Sequence, residues 1–531
     1  MIRCIDAHTF FDGNPPPGIP GDAPKPDFER LVERTRFLDT SRYPLKRLKE
    51  ILEREHIRLG AGAETLERIA AVGEDSVFVV AGQQAGLFGG PLYTLYKAMH
   101  AVRLAERLQE ASGRRVVPLF WIASDDHDFG EVDHLGLNTR DGSSAIVSYR
   151  PGGHRDGMPV SGVTLDEVIT DVIDTFAGAL PSGGIGKRLL TILRESWKPG
   201  VSWPDAFARH LLALFREWGL TVFDPVWSGV RELFGAIYLK ELSDPSASVA
   251  LINEGADDFD SARLKKKALR KPASSTNLFL VTDGIRHAVT FADGVFTAGG
   301  RRFSMDELRA LAGSEPERFS PAAGLRPVCQ DAVMPVSALI AGPGERLYLR
   351  QVRPLYDLFG VDGSTVWPRA SFTVVDVSTV RAAEKEGIPL KSAFGDIGSI
   401  KNMLARDTFP ADVRDTFDTL EREMETGFAR IADTIGAVDP TLVDAAKKEA
   451  GRVSHILAGL RGKAVRAHKS TVGVSERRLT SASYYLLPDR GPQERWFGAD
   501  AILTSLAGDG FGAFIAMTSP GEERHRIVLP G

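Results

Sequence analysis

The chain has 531 residues, 43% hydrophobic and 25% charged, a balance that excludes wholesale disorder. At roughly 150 residues per domain this is about three units, or one large core with appendages. Lys and Arg number 65 against 70 Asp and Glu, a net charge of −5, which speaks against a general nucleic-acid binder.

Pro, Gly and Asp crowd the first thirty residues, so an irregular segment is expected there. Helical periodicity runs from Pro44 to Ala71, with Leu45, Leu48, Ile51 and Leu52 on one side. Val77-Phe78-Val79-Val80 reads as a buried parallel strand. It enters a glycine-rich segment, Gly82 to Gly90, and Pro91 then opens a helix that Gly113 ends. Val116 to Ile122 is a second buried strand, ending in Ser124-Asp125-Asp126-His127-Asp128. Strand, glycine loop, helix and strand make a βαβ unit, which predicts a doubly wound α/β sheet. Residues from about 140 to 270 read as mostly helical, with loops near Pro151-Gly152-Gly153 and Pro181 to Gly184. Leu220 to Phe223 is a further core strand, and Lys265-Lys266-Lys267 a solvated helix face. Asp283-Gly284, Asp293-Gly294 and Gly299-Gly300 punctuate an antiparallel meander over 277–303. Ser304 and Glu307 form a capping box. Apolar Val333 to Ile340 runs into a second glycine loop, Gly342-Pro343-Gly344-Glu345, and Val366 to Arg369 ends another strand. Val413, Phe417, Leu420, Met424, Phe428, Ile431 and Ile435 have heptad-like spacing. Asp439-Pro440 then starts a second such helix, so 412–466 predicts an antiparallel helical hairpin. The last fifty residues read as strands and turns, Phe511 to Met517 included.

Other classes are bounded by simple counts. Two cysteines, Cys4 and Cys329, cannot build a disulfide framework or a Cys-rich zinc site. Cys329 reads as a buried apolar residue. No basic segment followed by an apolar one opens the chain, and no apolar run approaches the ~20 residues of a membrane span. A cytoplasmic enzyme without membrane or nucleic-acid partners is expected.

Three places can carry chemistry. Glycine loops let backbone N–H groups approach an anion beside a helix N-terminus, so Gly82, Gly86 and Gly90 are candidates for holding phosphate or carboxylate. Their spacing matches neither the dinucleotide fingerprint nor the P-loop. The acidic tip lies at the carboxyl end of a core strand, where α/β folds place ligands. There His127 is either a general acid/base oriented by Asp126 or Asp128, with the acids binding an amine or Mg²⁺, or a metal ligand with Asp128, Asp133 and His134. The second reading would make a metal-dependent hydrolase or transferase. Gly342, Gly344 and Glu345 are candidates to complete the same cleft. Arg326, Gln330 and Asp331 sit amid apolar neighbours and need partners.

Gly82-Gln83-Gln84-Ala85-Gly86-Leu87-Phe88, Gly90 to Lys97, and Phe120 to Phe129 with Glu131-Val132-Asp133-His134 resemble the bacillithiol biosynthesis cysteine-adding enzymes, the cysteine ligases. So do Phe319-Ser320-Pro321, Leu325 to Val328 with Gln330-Asp331, Gly342 to Glu345, and Gln493-Glu494-Arg495. The resemblance implies a Rossmann-like, nucleotidyltransferase-like core with connecting-peptide insertions, and an α-helical coiled-coil domain forming a homodimer. It places the core at 1–375, with insertions over about 140–315, the coiled coil at 376–480, and a return to the core at 481–531. It implies the last step of bacillithiol synthesis, joining the carboxyl of cysteine to the amine of glucosaminyl-malate. Uphill amide formation then calls for ATP or another nucleotide, through an acyl-adenylate or acyl-phosphate. On that reading Asp126, His127 and Asp128 are catalytic. Gln83, Gln84, Tyr93, Lys97, Ser124 and Asp125 join the glycines and Arg326, Gln330, Asp331 and Glu345 as binding residues. Lys97, two turns into its helix, either neutralises an anion or is simply exposed. Two positions depart from the family: Gly89 replaces an expected hydroxyl residue, and Asp125 an expected Glu. The His-x-Gly-His motif of nucleotidyltransferase-type adenylating enzymes is absent from the sequence.

Overall fold

Five short strands, buried along most of their length except at Thr365 and Val366 of one edge, form the central sheet of the computed structural model, which describes residues 2–21, 26–138, 144–179, 184–261, 268–471, 476–504, 510–518, 521 and 524–530. Lys265, Lys266 and Lys267, Pro181, Ser182 and Gly183, and residues 22–25 lie outside these. In spatial order the strands are Thr365–Pro368, Val336–Ala341, Val77–Gln83, Val116–Ile122 and Thr221–Phe223, and all neighbours are parallel. The chain winds outward from the Val77 strand in one direction, then returns to its other side at Val336. The point where winding reverses lies between the Val77 and Val336 strands, the position at which doubly wound sheets open a crevice.

The helix Leu92–Ser112 connects the first two strands and ends at Gly113 in the left-handed conformation. Nearly every turn is inside the protein, Leu92, Leu95, Tyr96, Met99 and Val102 among the buried residues. The predicted helical stretch from Pro44 is two helices, Leu45–Leu59 and Ala63–Ala70. The meander is present as Ser275–Thr282, Ile285–Ala292, Val295–Ala298 and Arg301–Phe303, and Phe319–Pro321 adds a fifth strand beside the first. Asp283, Gly284, Asp293 and Gly294 all have positive φ, as two-residue hairpin turns require. The Ser304 capping box opens the helix Met305–Ser314.

Met1–Asp376 and Arg490–Gly531 form one compact unit, and Val377–Asp489 a second. In the first, the chain ends meet: Arg526–Leu529 pairs with Arg3–Asp6 and with Phe372–Val374. The Phe511 to Met517 segment corrects the sequence reading, because it is a helix, Gly510–Met517. Its Phe514 packs edge-on against Tyr96 and Phe372, so an all-apolar run fills a core rather than a sheet. The second unit holds the long helices Ala411–Gly436 and Leu442–Thr471, packed as a hairpin, over a small core of Ala383, Ile388, Ile400, Leu404 and Leu479. The second hairpin helix begins after Asp439-Pro440, whose residues form a turn instead: the Asp439 carboxylate accepts from the Thr441 N–H and hydroxyl. No helix among the described residues is long and apolar enough to cross a membrane.

Candidate active site

A cleft of about 580 Å³ opens at the crossover point between the Val77 and Val336 strands. Gln83, Gln84, Tyr93 and Lys97 line one wall, and Gly342, Gly344, Glu345 and Tyr348 the other. Glu131, His134, Arg369, Arg495 and Trp496 also line it. The size is that of a small-molecule site.

Of the two readings of Lys97, the structure excludes the exposed one. Its side chain is only 1% exposed, and its ammonium donates to Gly82 O at 2.6 Å, Gln83 Oε1 at 2.9 Å and Glu345 Oε1 at 2.6 Å. From Thr94 to Val102 every residue of the helix is buried, so no face of it at that turn was available for a solvated lysine. Burial pushes the Lys97 pKa down, against the opposing pull of Glu345. Glu345 also accepts from the Gly342 N–H at 2.7 Å, closing the first turn of the helix Pro343–Gln351. One ion pair thus ties both loops of the cleft together.

The glycines are set by packing rather than by an open anion cradle. A Cβ on Gly86 would meet Gly90 Cα at 2.6 Å, so the two backbones touch each other. Insertion aromatics hold the loop from outside: Trp203 Nε1 donates to Ala85 O at 2.6 Å, and Phe88 packs against Phe176 and Trp197. Gly89 has φ +86°, and a Cβ there would lie 3.1 Å from the His210 ring. That explains the departure at this position, since the chain leaves no room for a hydroxyl side chain.

Arg369 and Arg495 flank the Tyr93 ring at 5.9 and 5.7 Å. Arg369 is buried in a bidentate pair with Glu494, one of whose bonds measures 2.8 Å; Ser371 also donates to that carboxylate. Burial raises the Glu494 pKa, but Arg369 outweighs it and holds the group below its usual value. Arg495 is exposed at the mouth and has no ion pair among those of the described residues.

Beside the cleft, the strand Val116–Ile122 delivers the acidic tip. Ser124 is buried and hydrogen-bonded to Asp224. Asp125 is buried against Arg231 Nη2 at 3.3 Å, Ser320 Oγ at 3.1 Å and Arg326 Nη2 at 3.6 Å. Burial raises its pKa, but Arg326, Arg231 and Arg286 together hold it below the ordinary carboxylate value. Asp126 is 3.6 Å from Arg326 and caps the His127 N–H at 2.8 Å. His127 and Asp128 are exposed, and His127 Nδ1 lies 3.1 Å from Arg286 Nη1. Gln330 and Asp331 stand apart from the cleft. They bond to each other, and Asp331 accepts from the Ser364 N–H at 2.8 Å, so their partners are structural. Cys329 is buried, and burial raises its thiol pKa well above the usual value.

Metal ligation does not fit this tip. Among the described residues no group of three His, Cys, Asp or Glu is placed to hold a metal. Asp125 and Asp126 turn to arginines, His127 faces a guanidinium, and Asp133 is taken by His134 and by Arg150 at 2.6 Å. The residues that sequence reasoning missed are Arg286, Arg231, Arg369 and Arg495. Only Arg495 left a trace, in the Gln493-Glu494-Arg495 match.

A doubly wound core with a polar cleft at its crossover point, joined to a helical-hairpin unit, defines a two-unit Rossmann-like protein. Sequence comparison resolves this class further. Residues 23–370 match the model of the bacillithiol biosynthesis BshC N-terminal Rossmann-like domain, and 372–529 that of the BshC C-terminal coiled-coil domain. The chain belongs to the BshC family. It is similar to proteins named "Putative cysteine ligase BshC" from Salinibacter ruber (31% identity, covering 84% of this chain and 82% of that one). The same name is carried by similar proteins from Chlorobium phaeobacteroides (30%, 91% and 88%) and Thermus thermophilus (33%, 85% and 87%).

Proposed function

We propose that this chain is the cysteine ligase of bacillithiol synthesis, forming an amide between the carboxyl of cysteine and the amine of glucosaminyl-malate. The observation that carries the reading is the cleft at the crossover point, with the Arg495 charge open at its mouth, in a chain that two models of one family cover almost end to end. Both the malate carboxylates and a nucleotide are anionic, and Arg495 over Tyr93 is the cation free to meet them. Amide formation from a free carboxylate is uphill in water, so ATP or a related nucleotide supplies the activation. The cationic mouth suits such a group, whereas the glycine loop does not cradle it, since Gly86 and Gly90 fill each other's space. Among the described residues no group of three His, Cys, Asp or Glu is placed to hold Mg²⁺.

Within this chain the roles divide by environment. The Lys97–Glu345 pair sets the spacing of the two walls. Asp125 anchors Arg231 and Arg326, which position the tip. His127 stabilises charge developing on the reacting oxygen, and Asp128, exposed beside it, takes the proton of the attacking amine. Incubating the purified protein with cysteine, glucosaminyl-malate and ATP tests the reading: bacillithiol appears by mass spectrometry, and its absence with correctly folded protein refutes it. His127→Asn with wild-type product yield would remove His127 from the mechanism.

The same proposal includes a homodimer through the hairpin. Leu420, Ile431, Leu442, Ile456 and Leu460 are large apolar residues left exposed along its two helices, Ile456 at 69%. Sedimentation of the wild type and of an Ile456→Asp/Leu460→Asp variant tests it, a dimer becoming a monomer.

A further inference from the structure

We propose that Arg286 is a positioning residue that fixes the His127 imidazole as its neutral Nε2–H tautomer, so that the ring meets substrate as a hydrogen-bond donor. This rests on the ligase reading of the tip and deepens it. Arg286 comes from the meander strand Ile285–Ala292, far in sequence from the tip it reaches. Its Nη1 lies 3.1 Å from His127 Nδ1. A guanidinium has donors and no acceptor, so Nδ1 must carry the lone pair and the proton must sit on Nε2.

The arginine is itself immobilised. Its Nε donates to Ser320 Oγ at 3.0 Å and its Nη2 to Pro321 O at 2.9 Å, while its Cζ sits 3.6 Å above the Phe279 ring. The Phe279 ring also packs 5.9 Å from the imidazole. Burial lowers the Arg286 pKa to about 10, opposed by Asp125, and it stays charged at neutral pH. The other charged groups facing the histidine do not compete. Asp126 Oδ1 is 3.8 Å from Nδ1 and already accepts the His127 backbone N–H at 2.8 Å. Its second oxygen faces Arg326 at 3.6 Å. Asp128, the next residue, makes no ion pair among those of the described residues. A protonated imidazole would set two cations 3.1 Å apart. On this proposal an arginine, rather than Asp126 or Asp128, orients the ring, and the ring acts as a donor. With Nε2 already protonated, the ring cannot accept the amine proton there, which leaves that task to Asp128.

Long-range ¹H–¹⁵N spectra of the full chain labelled in histidine read the tautomer directly, with His127→Gln assigning the signal. The expected result at pH 7 is a neutral ring protonated at Nε2. An Nδ1–H tautomer, or an imidazolium, would overturn the proposal. In Arg286→Met the expected result is a mixture of tautomers, with kcat down roughly 10- to 100-fold from lost orientation and KM changed less than about threefold. Arg286→Lys, which keeps a donor and a charge, recovers part of the loss. An unchanged Nε2–H signature in folded Arg286→Met also overturns it. Should that variant fail to fold, the wild-type spectrum decides alone. The spectrum needs no turnover, so a failed ligase assay and a wrong tautomer are separate outcomes.

Discussion

Replacing Lys97 by Met removes a group that ties the two loops of the cleft together. Three acceptors lose their donor: Gly82 O, Gln83 Oε1 and Glu345 Oε1. Breaking a fully buried ion pair costs roughly 3–5 kcal/mol. Here Glu345 is 32% exposed and keeps its bond from the Gly342 N–H, so solvent offsets part of the loss. The expected cost is about 2–3 kcal/mol. Glu345→Gln instead leaves a buried ammonium without its anion. The Lys97 pKa, already lowered by burial, falls further, so the unfolded chain binds the proton more readily than the folded one. That variant is therefore most destabilised at neutral pH and recovers as pH rises toward the ordinary lysine value. The double variant should cost less than the sum of the singles by roughly 1–3 kcal/mol. Urea denaturation followed by tryptophan fluorescence measures this cleanly, because all seven tryptophans lie in the unit built from Met1–Asp376 and Arg490–Gly531. Additive effects, each within about 0.5 kcal/mol of wild type, would refute the claim that this pair holds the cleft.

Other consequences are as direct. Arg495→Ala should raise KM for the anionic substrate about tenfold, from loss of one charge-assisted contact, while urea midpoints stay unchanged because the side chain is exposed; an unchanged KM removes Arg495 from the site. His56, His100 and His525 are buried, and burial pushes their pKa values down to about 4, 3 and 4. They stay neutral while the unfolded chain takes up protons, so they withdraw stability as pH falls from 6.5 toward 4. Asp224 acts in the opposite sense: burial raises its pKa to about 7, so its contribution is present in acid and lost as pH climbs through 7. Asp224→Asn should then gain on wild type above pH 7, by up to roughly 4 kcal/mol, and not at pH 4; equal urea midpoints at both pH values would contradict this. Gly89→Ser, which restores a hydroxyl, should cost about 1–2 kcal/mol in the same denaturation assay from its positive φ and its contact with His210; a stability-neutral substitution would show that the loop has room.

Much of the core was legible because its signals are local. Val77 to Val80 and Val116 to Ile122 are unbroken apolar runs, which only strands covered on both faces require, and the Asp-Gly turns mark the meander. The position of the cleft follows from the Val77 strand ending at Gln83 and the Val336 strand running into Gly342. What stayed hidden is what the fold brings from a distance. Arg286 reaches His127 across 159 positions, and Arg369 meets Glu494 across 125. Neither pairing leaves a spacing that a sequence could show. The choice between the two readings of Lys97 stayed open because amphipathic logic assumes one wet face, and the helix Leu92–Ser112 has none at that turn. The run Phe511 to Met517 was misread for the related reason that an all-apolar segment carries no periodicity to separate helix from strand.

The low-molecular-weight thiol pool of a host strain, measured by mass spectrometry with and without this gene, tests the ligase claim most directly. The account predicts loss of bacillithiol with accumulation of glucosaminyl-malate, restored by the wild-type gene. An unchanged pool would contradict it.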